Sequence, residues 1–373
     1  METILISAPR ELSNSACTYV ESIARSHIEQ GLHTAAQLAV YRDGELQIDL
    51  RLGPATVSDA RIVWFSATKP LAAVAALMLV ERGAFDLDQP IAAAWPQFAD
   101  GGKAACTLRH VLTHRGGFPI FPNDFDWGQI DDWHAVTTKT AEIKAVWAPG
   151  TATGYHPVTY GFALGELVRR LDGREPREFF EDEIFGPLGM DASLGIPADA
   201  LNAVVPLEAK SEVTLLDPNG NEHRTSDIVK RFNAAPTLRG QLPAANAIGT
   251  AEALARFYDC LLQGGSRKNT RMLQPETVIE ATKIQWTADY DRTTTLPASY
   301  GLGFLIGGPL EPFDEPGVYG HTGQQCCIGY ADPIRGLAVA YLTNGLQGPV
   351  ELQQRYREVA LALIKVCTAS DQI

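Results

Sequence analysis

Trp64-Phe65-Ser66-Ala67-Thr68-Lys69-Pro70, with the apolar run 71–80 behind it, predicts a short strand ending at Trp64 and then a buried helix. Residues three apart on a helix share a face, so the Ser66 hydroxyl and the Lys69 amine fall side by side. Pro70 is compatible only with a helix that has just begun, where backbone N–H groups lack partners anyway. Ser66 then lies at the positive end of the helix, where a developing alkoxide is stabilised. Serine beside lysine is one way hydrolases activate a hydroxyl without histidine. A plainer reading is a helix cap at Ser66 with a snorkelling Lys69. Since S-x-x-K is expected by chance about once in a chain this long, other stretches have to choose between the two.

The 373 residues, 45% of them hydrophobic, suffice for a large core and for two lobes. A formal net charge of −13 argues against nucleic acid or an anionic membrane as partner. Residues 1–7 carry no basic segment and no sustained apolar run, and no stretch reaches the length of a membrane span, so the expectation is a cytoplasmic protein. The six cysteines form no C-x-x-C pair and read as free thiols, with Cys326 and Cys327 as small buried strand residues.

Apolar spacing predicts a helix near 17–29, a strand at 35–41, a tight turn at Asp43-Gly44 and a second strand at 46–52. After the central helix, 86–238 reads as helices and long loops. His110 and His114 are four apart, but Val111-Leu112-Thr113 between them offers no general base, so capping and core hydrogen bonding are expected there and no metal. The aromatic stretch Phe118, Phe121, Phe125, Trp127 and Trp133 either roofs an apolar pocket or forms a satellite cluster. Tyr155-His156-Pro157 follows a glycine-lined turn and precedes a helix at 159–171. Thr250 caps a further helix closed by Gly264-Gly265. Strand patterns return at 302–306, 317–321, 325–331 and 337–343, before a last helix at 353–366. Early strands, a helical middle and late strands predict an α+β fold, with one antiparallel sheet built from both chain ends. Its division is 1–85 with 239–373, and an inserted helical lobe 86–238, the active site lying between them.

Several of these stretches together resemble one superfamily, the serine β-lactamases and penicillin-recognising enzymes. Ser66-x-x-Lys69 resembles its first motif, Pro149-Gly150-x-x-x-x-Tyr155 its Tyr-x-Asn region, and Gly320-His321-Thr322-Gly323 its Lys-Thr-Gly strand. Residues 85–91, 108–117 and 185–190 resemble further landmarks in the same order. The match covers about 15–366 and implies the β-lactamase/DD-peptidase fold. Two departures stand out: Tyr-x-Asn is here Tyr155-His156-Pro157, and the lysine of Lys-Thr-Gly is His321, mostly neutral at pH 7. Both point away from penicillins and towards uncharged esters, the pattern most similar to family VIII carboxylesterases. A nucleophile elbow of the α/β-hydrolase kind is absent: Asp191-Ala192-Ser193-Leu194-Gly195 lacks its first glycine.

The resemblance implies an acyl-enzyme on Ser66, with Lys69 and Tyr155 sharing the proton work. A cationic Lys69 would push Tyr155 towards phenolate. It implies an oxyanion site made by the backbone N–H groups of Ser66 and Gln324. Substrate contacts are expected from His321, Thr322, Gly323, His156, Phe121 and Trp127. No metal and no cofactor is expected; the partner is a small-molecule ester, and a homo-oligomer is left open. Acyl transfer, amide or β-lactam hydrolysis on the same site, and a non-catalytic relative, are the competing readings.

Overall fold

Two runs of alternating apolar residues joined at Asp43-Gly44 fold as a hairpin because Asp43, at φ 49°, and Gly44, at φ 90°, both take the left-handed backbone that a two-residue turn requires. The computed structural model describes residues 10–216, 220–306 and 317–370, so the reading of residues 1–7 lies outside the described residues. Along the chain come α1 (Asn14–Glu29), β1 (Ala36–Arg42), β2 (Glu45–Leu52), β3 (Ile62–Val63) and α2 (Lys69–Glu81). The middle carries α3 (Thr159–Asp172), β4 (Ala192–Leu194) and α4 (Thr225–Phe232). Then follow β5 (Ala247–Gly249), α5 (Ala251–Leu262), β6 (Tyr319–Gly323), β7 (Cys327–Asp332), β8 (Leu337–Thr343) and α6 (Pro349–Ser370).

The main sheet has the order β6-β7-β8-β1-β2. Every neighbouring pair in it is antiparallel. Strands from both ends of the chain therefore meet at its centre, with Ala39 opposite Ala340 and Tyr41 opposite Ala338. Both faces are covered. Leu38, Val40, Val339 and Tyr341 face Val20 and Ala24 of α1 and Val359 and Leu363 of α6. Ala39, Tyr41, Ala338, Ala340 and Leu342 join the larger core on the other face, with α2 and α5. The period of two along each strand makes this division.

Thr250 caps α5 as its spacing predicts, accepting the Ala253 N–H at 3.2 Å. His110 completes a capping box with Thr107, the capping role expected of it. The expected strand at 302–306 is instead two isolated bridges at Leu305, to Tyr300 and to Gly320. Gly303, at φ 88°, breaks the extended run there. A second, three-stranded sheet, β3-β5-β4, sits at the heart of the larger core and delivers the chain to Trp64. None of the six cysteines is in a disulfide. Among the described residues no helix is long and apolar enough to cross a membrane.

Candidate active site

Trp64 donates its backbone N–H to Ala247 O at 2.9 Å, extending the β3–β5 pairing by one residue. The next residue reverses the backbone. Phe65 sits at φ 46°, a region that bulky side chains rarely enter. Its buried ring packs on Phe232 at the end of α4, 4.6 Å between centroids. From Phe65 to Thr68 the chain winds as a 3-10 turn that runs straight into α2. Ser66 thus lies in the turn ahead of the α-helix and not within the helix's own first turn. In a 3-10 turn residues i and i+3 eclipse, which brings Ser66 directly over Lys69. Thr68 fixes the turn from below, its Oγ1 accepting the Ala247 N–H at 3.0 Å.

Lys69 is 0% exposed. Its Nζ is 2.9 Å from Ser66 Oγ, and it donates to the carbonyls of Pro157 at 2.7 Å and Ala244 at 3.1 Å. These three partners come from three distant parts of the chain. Gly161 permits the approach of the third, because a Cβ there would stand 2.2 Å from the Ala244 nitrogen. No carboxylate pairs with the amine among the described residues, and burial drives its pKa well below the usual lysine range. A neutral amine has two N–H bonds and one lone pair. In that form, with the two carbonyls taking both N–H bonds, the lone pair would face the Ser66 hydroxyl.

Tyr155 borders this amine, with Lys69 Nζ 4.7 Å from its ring centroid. Its backbone N–H is held by Asp291 Oδ1 at 3.0 Å. Tyr160 supplies a second ring, 5.9 Å from Lys69 Nζ, and burial raises its hydroxyl far above the usual tyrosine range. Its place one residue into α3 was visible in the sequence, but nothing there marked it as a neighbour of Lys69. His321 faces Tyr155, with ring centroids 5.9 Å apart. Its Nδ1–H donates to Thr322 O at 2.6 Å. Burial, then the proximity of Lys69, lowers its pKa to about 3, so the ring is neutral at pH 7.

Gly323 ends β6 against the serine turn, because a Cβ there would lie 2.3 Å from Trp64 O. This contact sets the end of β6, one residue before Gln324, against the Trp64–Phe65 backbone. Alternation along β6 puts Thr322 on the other face from His321, in register with Ile328.

Two of the expected substrate contacts point inward. His156 is 1% exposed; its Nε2 accepts the Phe118 N–H at 3.2 Å, and its backbone N–H donates to His114 Nδ1 at 3.0 Å. It braces the wall behind Tyr155. His114 is thereby a core hydrogen-bonding residue, as its spacing suggested. Phe121 is buried against Phe125, Trp127 and Phe162. The aromatic stretch is therefore largely core at Phe118 and Phe121. Trp127, the other aromatic expected at the substrate, lines a groove of about 360 Å³ with Ile228, Arg231 and Pro236. Among the described residues no group of three or more His, Cys, Asp or Glu could hold a metal ion.

Residues 20–364 match the beta-lactamase family. The chain is 33% identical over 341 residues to the esterase/beta-lactamase LipL of Mycobacterium tuberculosis, covering 84% of this chain and 77% of that one. It superposes on a penicillin-binding protein homolog from Caulobacter crescentus with a TM-score of 0.80 and 28% identity, over 95% of this chain and 100% of that one. A family VIII carboxylesterase gives a TM-score of 0.78 at 23% identity, with coverage of 95% and 100%, a likeness of fold.

Proposed function

This chain belongs to the beta-lactamase family, and from that membership we propose that it is a serine hydrolase cleaving uncharged carboxylic esters, short-chain ones foremost, through an acyl-enzyme on Ser66. The observation that carries the reading is the fully buried Lys69 amine 2.9 Å from Ser66 Oγ, with both of its N–H bonds taken by carbonyls. Its depressed pKa favours the neutral base. This reverses the sequence expectation of a cationic Lys69 acting on Tyr155: the amine itself takes the Ser66 proton. Ser66 Oγ attacks the ester carbonyl, and the tetrahedral oxyanion rests on the N–H groups of Ser66 and Gln324. Tyr155, beside the ammonium so formed, passes the proton to the leaving alcohol. Water then repeats the sequence in reverse and releases the acid.

Support for uncharged substrates comes from His321, which is neutral and so provides no cation for a substrate carboxylate. The name of the M. tuberculosis relative, esterase/beta-lactamase, includes ester hydrolysis. The reading keeps the division into 1–85 with 239–373 and an inserted 86–238, with the site between them. In its favour, Lys69 is held by Pro157 from the insert and Ala244 from the second part. Six cysteines outside any disulfide suit a reducing compartment, which favours the cytoplasm.

The test is a fluorophosphonate probe with intact-mass and peptide mapping, run beside p-nitrophenyl esters of increasing acyl length. One adduct on Ser66 with turnover of the short esters is expected. Wild-type turnover by Ser66→Ala would overturn the reading.

A further inference from the structure

After β6 the chain turns through Gly323-Gln324-Gln325-Cys326, closed by the Cys326 N–H donating to Gly323 O at 3.0 Å. Gln325 holds φ 59° while Gln324 is not left-handed, the pattern of a type II turn with a glutamine where glycine is preferred. Directly behind the turn lies Arg355 of α6, 0% exposed. Its Nη2 donates to Gln325 O at 2.7 Å and to Gly345 O at 3.2 Å. Its Nη1 donates to Thr343 Oγ1 at 3.0 Å and meets His33 Nδ1 at 3.2 Å. Burial and this guanidinium drive the His33 pKa down to about 2, so His33 stays neutral. Among the described residues no carboxylate pairs with Arg355. A buried cation without a carboxylate is costly, and the protein places this one on the carbonyl of a strained turn.

We propose that Arg355 is a positioning residue for the oxyanion site, acting on the Gln324 N–H through two peptide groups. The Gln325 carbonyl that accepts from Arg355 shares a peptide with the Cys326 N–H. That N–H donates to the Gly323 carbonyl, which shares the next peptide with the Gln324 N–H. Each bond polarises the following one in the same direction, and a charged donor at the head of such a chain strengthens every link. The guanidinium thus both holds Gln325 in its left-handed backbone and makes Gln324 a stronger donor. The proposal rests on the reading that the Gln324 N–H receives the oxyanion.

A double-mutant cycle on kcat separates the two. Gln324→Pro suits the second position of a type II turn and removes the N–H together with the side-chain amide, so kcat should fall roughly 100-fold or more with little change in KM. Arg355→Gln should lower kcat about tenfold, and Arg355→Lys less, because the lysine keeps the charge. In the Gln324→Pro background the Arg355→Gln effect should vanish. Wild-type kcat in Gln324→Pro would overturn the oxyanion reading and the proposal with it. A damaged Gln324→Pro in which Arg355→Gln still costs its full factor would overturn the proposal alone. If the Arg355 variants do not fold, as judged by circular dichroism and Ser66 labelling, Thr343→Val enters the same cycle. It frees one Nη1 anchor, keeps the guanidinium and also removes the bond from the Thr343 hydroxyl to Cys326 O at 2.8 Å, and its kcat loss must likewise vanish beside Gln324→Pro.

Discussion

The Tyr155 backbone N–H donates to the carboxylate of Asp291, 136 residues away, at 3.0 Å. The same oxygen, Oδ1, accepts the N–H groups of Thr293 and Thr294, and Oδ2 accepts the Tyr300 hydroxyl at 3.0 Å. Asp291 is wholly buried, so it is the peg on which the Tyr155 segment hangs. In Asp291→Asn one oxygen becomes an NH2 donor, so the Tyr300 hydroxyl has to turn round and accept, and the three N–H groups lose the charge on their shared acceptor. The variant should lose about 1–3 kcal/mol of stability. Its kcat should fall roughly tenfold through displacement of Tyr155, with KM less affected. Urea denaturation and steady-state kinetics check both; a variant of full kcat would show that Tyr155 needs no such anchor.

Lys69→Met replaces a buried amine by an apolar chain of similar length. A lysine whose folded pKa lies below its unfolded value makes the native state bind fewer protons than the unfolded chain. Wild-type stability should therefore rise with pH up to the unfolded value near 10.4, about 1.4 kcal/mol per pH unit more steeply than that of Lys69→Met. The same variant should lose esterase activity, and with it the ascending limb of the kcat/KM profile. Denaturant titrations from neutral to alkaline pH would show two parallel lines if Lys69 stayed protonated in the native state.

The parts of this architecture that sequence spacing reveals are the local ones. Ser66 and Lys69 are one turn apart, the strands of β1, β2, β7 and β8 alternate or run apolar, and Thr250 stands before an amphipathic run. What spacing cannot show is set by contacts between distant, ordinary-looking residues. Arg355 reads as one more charge on a terminal helix until the fold buries it behind Gln325. Asp291 heads a local Asx turn, but its bond to Tyr155 depends on how two loops meet. His156 occupies a motif position that suggested substrate contact, and packing against Phe118 turns it inward. The left-handed Phe65 has no signature in residue type, because a phenylalanine is disfavoured there and only its burial on Phe232 holds it.

His321→Lys would restore the cation found at this position in the resembled superfamily. At a site 3% exposed, close to Lys69 and with no carboxylate paired there among the described residues, a second amine is expected to lower the melting temperature at neutral pH. Turnover of neutral esters should fall, while affinity for carboxylate-bearing substrates should rise. Thermal denaturation and competition with a penicillin measure the two effects; an unchanged melting temperature would mean that the His321 cavity admits water.

Glu166 of α3 lies inside a ring of donors: Trp133 Nε1 at 2.9 Å, Arg169 Nε at 2.8 Å and Arg170 Nε at 2.7 Å. Burial works to raise its pKa, but the bonds from Arg169, Trp133 and Arg170 outweigh it and hold the carboxyl below the usual glutamate range. A carboxyl with a lowered folded pKa contributes stability that is complete above its unfolded pKa and is lost as pH falls through the folded value. Glu166→Gln should cost about 2 kcal/mol at neutral pH, discounted for the one-third exposure of the two arginines. The gap between wild type and variant should stay constant above about pH 4.5 and narrow below it, because only the wild type has a charge to lose. Activity at neutral pH should change little, since Glu166 makes no contact with Ser66, Lys69 or Tyr155. Urea titrations across pH 3 to 7 decide the matter, and a gap that persists undiminished to pH 3 would mean that hydrogen bonds and packing, not charge, hold α3 in place.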